Sequence, residues 1–60
     1  MYGVKEHREP FRYYVAGNAN GEGLVMGSDT AAARMSREDA IKTARDLRRY
    51  GWDVAAFGWT

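Results

Sequence analysis

Between Ser36 and Gly51 the apolar residues recur with the period of a helix. At about 100° per residue, Ala40, Ala44 and Leu47 fall together, with Ile41 to one side and Thr43 and Tyr50 to the other. Glu38, Lys42, Arg45, Asp46 and Arg49 occupy the opposite side. Both ends carry signals. Ser36 is an N-cap whose hydroxyl can accept a backbone N–H of the first turn, and Asp39 stands where a capping box places Glu or Gln. Glu38 and Asp39 lie at the positive end of the helix dipole; Arg45, Arg48 and Arg49 lie toward the negative end. Gly51 follows as a left-handed C′ residue, with Leu47 and Trp52 placed to make the contact of a Schellman ending. The pattern predicts one helix over 36–50 whose alanine-rich stripe lets a small sheet come close.

Elsewhere the period is two. In FRYYVA, Phe11, Tyr13 and Val15 share one face and Arg12, Tyr14 and Ala16 the other. Pro10 suits the start of an edge strand. GNANGEG (17–23) supplies turn residues, and Leu24–Met26 is a second apolar run closed by Gly27, so 11–27 reads as a β-hairpin. After the helix, Trp52, Val54 and Ala56 face one way and Asp53, Ala55, Phe57 and Trp59 the other, a strand over 52–58 that is largely apolar on both faces. Residues 28–35 read as a loop or short strand ahead of the Ser36 cap, the alternative being an earlier helix start capped by Asp29 or Thr30. Residues 1–9, with Lys5, Glu6, His7, Arg8 and Glu9 in one run, read as a flexible arm, although Tyr2 and Val4 can extend a strand backward. The expectation is one α+β domain over 1–60. It has β-β-α-β order, a small antiparallel sheet with the amphipathic helix on one face, and a last strand running antiparallel to the helix.

Composition narrows the function more than it names it. The chain has 60 residues and no cysteine, which leaves no disulfide or cysteine-based zinc site to supplement a small core. No apolar run approaches the ~20 residues of a membrane span, and MYGVKEHREP has no apolar signal region, so a cytoplasmic protein without membrane partners is expected. Nine basic and eight acidic residues give a formal net charge of +1, too balanced to advertise nucleic acid by bulk charge.

The chemical motifs are tested against that background. The glycines of GNANGEG join two strands and lack the Gly-Lys-Ser/Thr or G-x-G-x-x-G pattern opening a helix. Asn18, Asn20 and Glu22 alternate like calcium ligands but bring one carboxylate. His7 is the only histidine and sits among charges, and no carboxylate pair suits acid–base work. A catalytic pocket of a few hundred Å3 is hard to fit in so short a chain. No enzyme, metal or cofactor is expected. Binding remains, with Trp, Tyr and Arg as the residues that concentrate at interfaces. Tyr14, Arg12, Arg48, Trp52 and Trp59 are the contact candidates. The partner expected is another protein, a homodimer being one form of this; an Arg-plus-aromatic nucleic-acid binder is the alternative.

FRYYVAG followed by SREDAIKTARDLRRYGWDVAAF resembles one half of a SPOR domain, the peptidoglycan-binding module. Such halves place a YYV-type strand before a Ser-start helix that ends in Leu-Arg-x-x-Gly-aromatic-Asp-Val. The chain is also similar in style to small, Arg-rich accessory proteins encoded by phages of GC-rich hosts. That resemblance implies binding to, or inhibition of, a host or defence protein.

Overall fold

The computed structural model describes residues 1–18 and 20–59; Ala19, inside the expected hairpin loop, and Thr60, at the end of the expected domain, lie outside the described residues. In chain order the elements are β1 (Tyr2–Glu6), β2 (Tyr13–Ala16), β3 (Val25–Gly27), α1 (Arg37–Arg49) and β4 (Val54–Gly58). The strands make one antiparallel sheet in the order β3-β2-β1-β4, and α1 packs on one face of it. This is the expected α+β architecture with one strand more than expected.

The additional strand is β1, where a flexible arm was expected, so the order is β-β-β-α-β. It pairs with β4 along its whole length, from Tyr2 opposite Gly58 to Glu6 opposite Val54, and with β2 through Lys5 and Tyr13. The charges that made this segment look like an arm are accommodated at its C-terminal end. Glu6 takes a guanidinium from Arg12, and Lys5 lies beside aromatic rings. With β1 inside the sheet, β2 is an interior strand as well. Pro10 is therefore not at the start of an edge strand; it lies in the preceding connection, where its missing N–H removes no ladder bond.

The register divides the sheet into two faces. Tyr2, Val4, Tyr14, Met26, Val54 and Ala56 face the helix, where Val4 and Val54 are completely buried with Ala40, Ala44 and Leu47. Gly3, Lys5, Tyr13, Ala55 and Phe57 face the other way. The helix can sit close because its contact stripe is alanine at two positions, leaving Leu47 as its one large buried side chain.

The segment before the helix is a loop that borrows strand pairing. Two turn bonds run from Ala31 N–H to Ser28 and from Ala32 N–H to Asp29; then Ala33 donates to the Tyr14 carbonyl at 2.9 Å. Met35 exchanges both backbone bonds with Tyr2, at 3.0 and 2.8 Å. This stretch thus lies between β1 and β2 beyond the point where those two pair.

Both helix caps form as their residues dictate. The Ser36 hydroxyl accepts the Asp39 N–H at 3.1 Å. At the far end Gly51 N–H donates to the Arg48 carbonyl at 3.0 Å and Trp52 N–H to the Leu47 carbonyl at 3.1 Å, the paired bonds of a Schellman ending. Gly51 holds φ at +98°, which an L side chain resists. Gly51→Ala is therefore expected to lower unfolding free energy by about 1–3 kcal/mol, read as a lower urea midpoint at unchanged slope.

Candidate functional site

The sheet face away from the helix carries the most distinctive chemistry. Such faces of antiparallel sheets are normally polar. Here Tyr13 from β2 and Phe57 from β4 meet edge-on with ring centroids 5.5 Å apart, although β1 lies between their strands. Phe57 in turn meets Trp59 at 4.5 Å. The residue of β1 opposite Phe57 is Gly3, and its lack of a side chain lets the rings close over the central strand. A Cβ on Gly3 would stand 2.7 Å from the Trp59 ring and 3.2 Å from the Ala33 carbonyl oxygen.

Two cations border this cluster. The Lys5 ammonium lies 5.2 Å from the Phe57 ring centre and 5.6 Å from that of Phe11, which is 46% exposed. The Arg34 guanidinium lies 4.0 Å from the centre of the Trp59 ring, delivered there by the segment that bonds to Tyr14 and Tyr2. Contacts of this kind at exposed sites are each worth about 0.5–1 kcal/mol. Among the described residues neither Lys5 nor Arg34 has a carboxylate partner.

The five contact candidates do not form one surface. Trp59 alone belongs to the aromatic face. Tyr14 is on the helix side, packed on the core, with its hydroxyl donating to the Gly17 carbonyl at 2.7 Å. Trp52 packs on the core and lies against Gly21 of the hairpin loop. Arg48 donates to the Val54 carbonyl at 3.0 Å, a bond between helix and strand. Arg12 forks onto Glu6 with bonds of 2.8 and 3.1 Å.

Lys5, Tyr13, Arg34 and Phe57 join Trp59 on this face and are not among the five contact candidates. The two-residue period had already placed Phe11 with Tyr13, and Phe57 with Trp59. Reading 1–9 as an arm removed the strand that joins those two sets.

His7, Arg8, Asp53 and the polar residues of the hairpin loop have local roles. Asp53 accepts from His7 Nδ1 at 2.8 Å and faces Arg8 at 3.5 Å, with all three exposed. The loop polar residues close the turn: Asn18 N–H donates to the Glu22 carbonyl, and the Asn20 side-chain oxygen accepts from Glu22 N–H. Among the described residues no group of three or more His, Cys, Asp or Glu could hold a metal ion, and no helix is long and apolar enough to cross a membrane.

Hydrogen bonding from Arg12 holds the Glu6 carboxyl below its ordinary pKa, outweighing the opposing effect of burial. A depressed carboxyl pKa stabilises the fold above the unfolded-state pKa, and that contribution disappears as pH falls through the folded value. Glu6→Gln should therefore be less stable than the parent at neutral pH, and the gap should narrow as denaturation is repeated at increasingly acidic pH. Gly3→Ala should displace Trp59, costing about 1–3 kcal/mol by overpacking and shifting the Trp59 indole resonance in a proton–nitrogen NMR spectrum. Comparison with protein-family models, with curated proteins and with solved structures finds no match.

Proposed function

We propose that this protein is a non-enzymatic binding module that docks onto another protein. The observation carrying this reading is the half-buried cluster of Tyr13, Phe57 and Trp59 on the sheet face that the helix leaves uncovered. Large aromatic side chains fixed by their neighbours lose little freedom on binding and offer much apolar area, which is why they concentrate at interface hot spots. The cations at the rim, Lys5 and Arg34, keep the uncovered patch hydrated in the free protein. The resemblance in style to phage accessory proteins suggests the setting: cytoplasmic modulation or inhibition of a host or defence protein.

A second reading, a small nucleic-acid binder, draws on the same cations. Lys5 and Arg34 stand over aromatic rings without carboxylate partners among the described residues, and single-strand binders combine cationic grooves with rings that stack on bases. The net charge of +1 and the edge-on packing of the rings argue for the protein partner.

Affinity capture from nuclease-treated host lysate separates the two. A protein enriched by the parent and lost with Trp59→Ala, checked for folding by circular dichroism, is the expected result. Tight binding to a labelled single-stranded oligonucleotide that weakens steeply with salt would replace it with the second reading.

A further inference from the structure

We propose that the open edge of β4 receives an extended, acidic segment of the partner protein as a fifth strand of the sheet. This rests on the protein-docking reading above and adds to the aromatic face a second contact, at the neighbouring sheet edge, with the chemistry that fits it.

The backbone geometry supplies the first half of the argument. Trp59 N–H donates to the Met1 carbonyl and His7 N–H to the Asp53 carbonyl, so the odd-numbered residues of this strand direct their backbone groups toward β1. Val54, Ala56 and Gly58 therefore direct theirs outward. Arg48 takes up the Val54 carbonyl. Among the described residues, Ala56 and Gly58 have no strand beyond them. The opposite edge is a poorer template, because β3 has three residues and its pairing with β2 is interrupted between Tyr14 and Ala16.

The side chains beside that edge supply the second half. A groove of about 290 Å3, lined by Tyr2, Arg37, Ile41, Ala56, Phe57 and Gly58, runs between the helix and the Ala56–Gly58 edge. Ile41 is 41% exposed there. Arg37 lines the groove; Arg48 lies on the same side of the helix with one guanidinium N–H on the Val54 carbonyl, and neither is ion-paired among the described residues. An added strand presents every second side chain to this groove. The chemistry that fits is an aliphatic residue against Ile41 and carboxylates toward the arginines. A second copy fits poorly, since antiparallel pairing of two β4 edges brings the arginines of both helices together.

The test selects displayed random peptides on the full chain and measures the enriched ones by titration and amide exchange. Enriched peptides should alternate Asp or Glu with aliphatic residues. Ala56→Pro, which removes an outward N–H and spares the β1 ladder, should weaken them about tenfold or more. Arg37→Glu should do the same; it sits on the exposed first turn, where an acid suits the helix dipole, so it remains informative if the proline variant fails to fold. The Ala56 and Gly58 amides should gain protection in the complex. The inference is overturned if those amides stay unprotected, if the enriched peptides are basic, if none is enriched, or if the chain instead dimerises through this edge. Lysate capture that still depends on Trp59 would leave the docking reading standing in each of the first three cases.

Discussion

Everything in this fold depends on how closely one helix can approach two strands. Ala40 and Ala44 bring the α1 backbone down onto the sheet, and Leu47 fills the remaining space against Val4 and Val54. These five side chains are nearly the entire fully buried core, so each is a large share of it. A core this small leaves little apolar surface for other tasks, and the partly buried Tyr2, Tyr14, Met26, Met35 and Trp52 serve mainly to close its margin. The second sheet face has no such duty and is built from a separate set of aromatics.

The two faces are held apart by the central strand. Val4 points into the core while Gly3 and Lys5 point the other way, where one residue permits ring contact by being absent and the next borders the rings with charge. By that arrangement a substitution in β1 is expected to affect both sides of the sheet. The arrangement also explains why Trp59 is fixed rather than loose: the ring lies between Gly3, Phe57 and the Arg34 guanidinium.

The helix was legible in the sequence because its determinants are local: Ser36 and Asp39 lie within one turn, and Leu47, Gly51 and Trp52 within another. The hairpin and last strand were legible from alternation, with their ends shortened so that Phe11, Arg12, Trp52 and Asp53 lie outside the strands. β1 was not, because Lys5 and Glu6 suit a strand only through partners in the neighbouring connection and in β4, which no local pattern announces. The candidate site suffered from the same gap. Tyr14, Trp52, Arg48 and Arg12 are residue types found at interfaces, yet here they are occupied by a carbonyl, a loop, a strand end and a carboxylate.

The pairing of β1 with β4 has a consequence for how the chain acquires its structure. Val4 meets Ala56 at a far greater sequence separation than β1 and β2 or β2 and β3 meet, so among the described residues this ladder closes the longest loop of any strand pairing. Loop-closure entropy makes such contacts late and slow compared with a hairpin or a helix. During synthesis the α1 stripe therefore emerges before Val54, which completes its hydrophobic contact, and the first strand waits with one side unpaired. Until β4 has been made, a nascent chain of this design leaves the β1 edge and the α1 stripe open to misassociation.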